Sequence, residues 1–193
     1  GSEMCIRDRC MKNASTKRIE ESAITVLKAA LLRCPILESY IDSNDKTPSW
    51  DGTIFVYKSE KTKKDNLAGR VPVQIKGTSS VIVSDTASFS CSVADLKNYY
   101  NDGGCVFFLI SVDLSTDRSK IFYKTLLVVD LDKIIKDAKE QKTTVIHLDV
   151  FPSEVNEISS IFMGFVDNVH KQMGFIGRDI PCLLYTSDAA DEL

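Results

Sequence analysis

The chain has 193 residues, with 24 Lys+Arg against 27 Asp+Glu and a hydrophobic fraction of 44%. This is the composition of one soluble globular domain around one core. It excludes attraction of the whole protein to nucleic acid by net charge, so DNA binding would need a local basic face. No apolar run approaches the ~20 residues of a bilayer-crossing helix.

Both ends are set aside before the fold is read. Glu3-Met4-Cys5-Ile6-Arg7-Asp8-Arg9 and Cys182-Leu183-Leu184-Tyr185-Thr186-Ser187 can be encoded by opposite strands of one short DNA element. They resemble translated sequencing-adapter sequence of the transposon-end type, so residues 1–9 and 181–193 are read as non-native tails. The expectation is a single domain over residues 10–180, cut from a longer protein. Setting aside Arg7, Arg9, Glu3, Asp8, Asp188, Asp191 and Glu192 leaves 22 basic and 22 acidic residues, a net charge of zero. Of the 6 cysteines, Cys5 and Cys182 lie in the tails and Cys10 abuts one. Cys34, Cys91 and Cys105 form no C-x-x-C and have no nearby His. They read as buried free thiols of a cytoplasmic protein, not as a zinc site or disulfide framework.

In chain order, Ile19, Ala23, Val26, Leu27, Ala30 and Leu31 predict a helix over 15–32, capped by Ser15 or Thr16 and ended by Pro35. A short strand is expected over 36–41, a loop over 42–49 and a strand over 53–57. Charged residues 58–66 read as a hairpin tip leading into a strand over 70–76. Short strands are expected over 81–83 and 88–91. A helix over 93–100 would stop at Asn101-Asp102-Gly103-Gly104. The apolar run 105–112 predicts a strand buried on both faces. A strand over 121–129, a helix over 131–139 and an edge strand over 145–150 follow. Ile158, Ile161, Phe162, Phe165, Val169 and Met173 mark a closing amphipathic helix, a surface for a domain beyond the cut. There are no internal repeats and no low-complexity tract. The order predicts an α/β domain with a mixed central sheet flanked by helices.

The chemistry concentrates in Val73-Gln74-Ile75-Lys76-Gly77-Thr78, with Asp51 upstream and Glu21 on the first helix. Side chains alternate along a strand, so Gln74 and Lys76 share a face while Ile75 points into the core. If Asp51 sits on the neighbouring antiparallel strand, a carboxylate, an amide oxygen, an ammonium and the Ile75 carbonyl can meet. That is a metal-and-lysine layout suited to phosphodiester cleavage.

Thr47-Pro48-Ser49-Trp50-Asp51 and Val73-Gln74-Ile75-Lys76-Gly77-Thr78, together with Ile19-Glu20-Glu21-Ser22-Ala23, resemble the PD-(D/E)XK nuclease-like superfamily. The nearer resemblance is to a bacterial family of unknown function with a D…V-Q-x-K-G-T pattern. It runs from about Lys17 to Val129. It implies a restriction-endonuclease-like core and a divalent-metal-dependent DNA endonuclease, in a defence or restriction context. By that resemblance Asp51 is the main ligand of Mg²⁺ (or Mn²⁺), Ile75 offers its backbone carbonyl, and Glu21 ligates directly or through water. Lys76 orients or helps deprotonate the attacking water and neutralises phosphate charge. Two departures stand out. Ser49-Trp50 precedes Asp51 where the family often has Asp-x-Gly, and Gln74 replaces an acid. A neutral amide is a weaker ligand for a hard cation, which favours one metal over two.

Each residue also has an ordinary role. Lys76 can be a solvated strand end, Asp51 a turn residue before Gly52, and Glu20 or Glu21 a helix-start charge. Glu20 can replace Glu21, since the helix phase is open. Lys58, Lys61, Lys63 and Lys64 read as a solubilising hairpin tip before a DNA clamp, and Thr78 is a further nucleic-acid candidate. Trp50 reads as a core plug, and His147 and His170 as ordinary surface histidines. The expected partners are DNA, a domain lost with the cut ends and a second copy of the chain, with no membrane. The competing functions are a nucleic-acid-binding or interaction module without hydrolysis, and an assembly domain in which Asp51 and Lys76 lie far apart.

Overall fold

The structure, a computed structural model, describes the backbone of residues 3–41, 49–116 and 118–185, and the side chains of 16–41, 49–116 and 118–172. Helix α1 (Glu3–Leu32) leads into β1 (Leu37–Ile41) and β2 (Gly52–Tyr57). A single 3-10 turn (Lys64–Asn66) precedes the long strand β3 (Leu67–Thr78). Then come β4 (Thr86–Ser92), α2 (Val93–Asn101), β5 (Cys105–Asp113), β6 (Arg118–Leu126), α3 (Val128–Ala138), β7 (Thr143–Val150) and α4 (Val155–Tyr185).

The seven strands form one open sheet in the order β1-β2-β3-β5-β6-β7-β4. Strands β3 and β5 pair in parallel, with Gln74 opposite Phe107 and Lys76 opposite Leu109. Every other pairing is antiparallel. This is an α/β fold with a mixed sheet and four helices packed on it.

The sheet needs cover on both faces because β5 is apolar throughout. Its odd and even residues divide between two cores. Val106, Phe108, Ile110 and Val112 pack with Ala23, Leu27 and Leu31 of α1 and Ile158, Phe162 and Phe165 of α4. Cys105, Phe107 and Leu109 pack with Leu96 and Tyr99 of α2 and Leu131 of α3. Burying each such side chain stabilises the fold by about 1.5–3 kcal/mol. Strand β3 divides the same way: Val71, Val73 and Ile75 face the α1–α4 core, which leaves Gln74 and Lys76 on the α2 side.

Gly77 sets how closely α1 lies on β3. A Cβ there would stand 3.0 Å from both the Ile19 carbonyl oxygen and Ile19 Cγ2, and 3.2 Å from the Ala23 Cβ. The glycine of the Lys76-Gly77-Thr78 run thus serves a helix–strand crossing.

Several expected boundaries move. Helix α1 begins at Glu3, upstream of Ser15 and Thr16, because no Gly or Pro interrupts 3–32. Residues 81–83 form no strand; pairing starts at Thr86. Strand β6 ends at Leu126 and α3 takes over at Val128, two residues inside the expected strand. Strand β7 lies inside the sheet, because β4 returns to pair along it and becomes the edge. Cys34, Cys91 and Cys105 are buried and free, as expected. The Met173 side chain and the segment 42–48, with Thr47 and Pro48 of the motif, lie outside the described residues. No helix among the described residues is long and apolar enough to cross a membrane.

Candidate functional site

Strand pairing brings the motif halves together. Gly52 pairs with Val73, and the Asp51 N–H donates to the Val73 carbonyl at 3.0 Å. Beyond Asp51 the chain turns away from β3 at Ser49, whose φ of 72° is left-handed. The Asp51 carboxylate then continues the ladder in place of main chain. Its Oδ2 accepts the Ile75 N–H at 2.7 Å and a hydrogen bond from Gln74 Nε2.

Gln74 is 4% exposed and held from both ends. Its Nε2 also lies 3.4 Å from the Ile75 carbonyl oxygen, and its Oε1 accepts the Tyr99 hydroxyl at 3.4 Å. Lys76, two residues along the same face, is exposed. Asp51, Gln74 and Lys76 line one cavity of about 460 Å³ together with Tyr99, Cys91 and Asp95. The ordinary reading of Asp51 as a turn residue therefore understates it, since its carboxylate is anchored by two donors.

Burial, then Cys105, Cys91, Asp95 and Asp51, push the Tyr99 phenol up, so it stays a donor toward Gln74. Burial and then Asp95 push the Cys91 thiol up to about 11, while Lys76 opposes them. Cys91 is thus a neutral thiol at physiological pH and no nucleophile.

The donor set can be tested against a divalent cation. Gln74 Nε2 sits between Asp51 Oδ2 and the Ile75 carbonyl, two oxygens expected to be ligands. An electropositive amide group thus occupies the place a cation would take. Turning the amide over would present Oε1 there instead. A carboxylate, a main-chain carbonyl and an amide oxygen, with waters completing the shell, suit one Mg²⁺ or Mn²⁺. Among the described residues no three His, Cys, Asp or Glu side chains converge as a metal cluster.

Glu21 does not join this cavity. It is exposed, pairs with Lys17 at 3.7 Å, and lines a separate cavity of about 330 Å³ with Arg18 and Arg118. Glu20 is exposed and lines neither cavity. The reason is topological: α1 covers the face of β3 opposite to Gln74 and Lys76.

Asp95 and its supports were not singled out from the sequence. Asp95 Oδ1 accepts the Ser49 hydroxyl at 2.7 Å, and Asn98 Nδ2 donates to Ser49 Oγ at 2.8 Å. The one available signal, Ser92-Val93-Ala94-Asp95 at a helix start, reads as an ordinary capping pattern. Trp50 packs edge-on against Tyr99 at 6.1 Å between ring centroids and against the α2–α3 core, in keeping with a core plug.

The remaining candidates lie elsewhere. Lys58, Lys61, Lys63 and Lys64 are exposed at the β2–β3 turn. Strand β2 separates them from Asp51, roughly 20 Å at ~3.3 Å per residue. Thr78 Oγ1 accepts the Ser80 N–H at 3.1 Å, and Thr78 does not line the cavity. His147 Nδ1 lies 3.0 Å from Ser88 Oγ on the exposed face of β7, and His170 is exposed on α4. Comparison of the chain with protein-family models, curated proteins and solved structures finds no match to any of them.

Proposed function

We propose that the protein is a divalent-metal-dependent nuclease cleaving phosphodiester bonds of DNA, on a restriction-endonuclease-like core, within a defence or restriction-type protein. The observation that carries the reading is the shared cavity of Asp51, Gln74 and Lys76, with the Asp51 carboxylate and the Ile75 carbonyl both within reach of one point. Asp51, Ile75 and Gln74 would hold Mg²⁺ or Mn²⁺. When bound, the cation would polarise a phosphoryl oxygen and make a water more acidic.

The chain's own groups do the rest. Asp51 is immobilised by the Ile75 N–H, so its position needs no rearrangement when substrate arrives. Lys76 at the cavity wall donates to a non-bridging phosphoryl oxygen and offsets the charge that develops as the phosphorus becomes five-coordinate. Tyr99 holds Gln74 from behind. The hairpin lysines can meet phosphates a few base pairs away, each contact steepening the salt dependence of binding.

The test is plasmid cleavage with Mg²⁺ or Mn²⁺ by the intact chain, Lys76→Ala and Asp51→Asn. Metal-dependent nicking lost in both variants is expected. No cutting of DNA or RNA at any salt or metal concentration sinks catalysis.

One observation favours a second reading, a nucleic-acid-binding or interaction module without hydrolysis. The Gln74 amide nitrogen already hydrogen-bonds Asp51 at the place a cation would take, so the site is organised without a cation. This reading expects salt-sensitive DNA binding unaffected by chelator; the nuclease reading expects thermal stabilisation by metal.

A further inference from the structure

We infer that Asp95 of α2, and not an acid of α1, is the second carboxylate of the Asp51–Lys76 cavity and positions the water shell of a divalent cation there. The inference rests on the nuclease reading of that cavity and adds to it a residue outside the motif.

Three observations carry it. The first is the side of the sheet. Asp95 lines the cavity from α2, which covers the face bearing Gln74 and Lys76, whereas Glu21 lines a different cavity on the α1 side. The second is orientation. Asp95 stands where it would close a capping box with Ser92, yet Ser92 makes no side-chain cap. Asp95 Oδ1 is instead drawn to the Ser49 hydroxyl, which Asn98 holds in turn. Ser49 lies two residues before Asp51, so the turn that delivers Asp51 also holds Asp95. Among the described residues Asp95 forms no ion pair.

The third is charge. Among the described residues that line the cavity, Asp51 and Asp95 contribute two negative charges and Lys76 one positive. A divalent cation and one phosphodiester anion bring that sum to zero. Without Asp95 the loaded site keeps an uncompensated positive charge in a partly buried cavity, which is unfavourable.

Trp50, the sole tryptophan, adjoins Asp51 and supplies a local probe. Tb³⁺ luminescence sensitised by Trp50, with Mn²⁺ as competitor, reads cation binding without any cleavage assay. Asp95→Asn keeps an oxygen acceptor for Ser49 and removes only the charge. It is expected to weaken Tb³⁺ and Mn²⁺ binding about 10–100-fold, with an unchanged circular dichroism spectrum. Ser49→Ala, which keeps both carboxylates but releases Asp95, is expected to lose less, and Asp95→Glu to recover part of the affinity. Binding unchanged in Asp95→Asn but lost in Asp51→Asn overturns the role of Asp95 and leaves the cation site standing. Glu21→Gln weakening binding as much as Asp95→Asn returns the role to α1. An intact chain that binds neither ion overturns the cation reading itself.

Discussion

Two of the cavities lined by the described residues lie on opposite faces of the sheet, and each contains an acid and a base. On the α2 side hydrogen bonds join Asp51, Gln74 and Tyr99 through a buried amide, and a second set joins Ser49, Asp95 and Asn98. On the α1 side Glu21, Arg18 and Arg118 are exposed, and among the described residues the Glu21 carboxylate pairs with Lys17 at 3.7 Å, the two side chains being 50% and 64% exposed. A surface pair of that kind contributes about 0–1 kcal/mol and holds nothing in place. The contrast teaches that a residue type at the expected sequence position is not a site. A site also needs partners that fix the group before the ligand arrives.

The sharpest break of this comparison is catalytic. Lys76→Ala is expected to lower metal-dependent cleavage by about 10²–10³-fold, the scale of losing one charge-stabilising donor, while Arg118→Ala in the other cavity lowers it by far less. Rates on supercoiled plasmid separate the two.

Next is the helix crossing between the cavities. Gly77→Val is expected to force α1 away from β3 and to destabilise by about 1–3 kcal/mol, as overpacking does, measured by urea unfolding. An unchanged midpoint would mean that Ile19 and Ala23 move aside freely.

The same unfolding assay compares the acids. Asp51→Ala leaves the Ile75 N–H without its acceptor and the Gln74 amide nitrogen with only the Ile75 carbonyl at 3.4 Å, and is expected to cost about 1–3 kcal/mol for the buried group left unsatisfied. Glu21→Ala is expected within about 0.5 kcal/mol of the parent. Equal losses would mean that Glu21 is held as firmly as Asp51.

The smallest effect lies at the β5–β6 turn, near the Glu21 cavity. Hydrogen bonds from the Ser115 and Thr116 hydroxyls, then the Ser115 N–H, hold the Asp113 carboxyl down at about 2, against an ordinary 3.8. Because the folded value lies below the unfolded one, the turn's contribution is complete above the unfolded value. It is lost as pH falls from about 3.8 toward 2. Asp113→Asn is expected to flatten that acid limb of the stability curve, read by thermal melts between those pH values.

Much of the architecture was legible because its signals are local. The β5 run is apolar at every position, which is possible only for a strand covered on both sides. The 3.6-residue periodicity of α1 and α4 named the residues that reach the core. Asp51, Gln74 and Lys76 were legible for the same reason: period two places the last two on one face, and a hairpin returns the first beside them. The failures are non-local. Residues 145–150 look like an edge strand, yet β4 pairs along them from more than fifty positions upstream. Asp95 looks like a helix-start charge until Ser49, 46 residues away, turns it into the cavity.

By itself the sequence determined which segments are helix and strand, which face of each is apolar, and that Gln74 and Lys76 point together. These follow from covalent geometry and the alternation of polar and apolar side chains. Only the tertiary structure decided that α1 covers the opposite face of β3, and so which acid shares a cavity with Asp51. Helix placement depends on close packing between distant segments, at Gly77 against Ile19 and Ala23, and no local pattern encodes a contact between two distant surfaces.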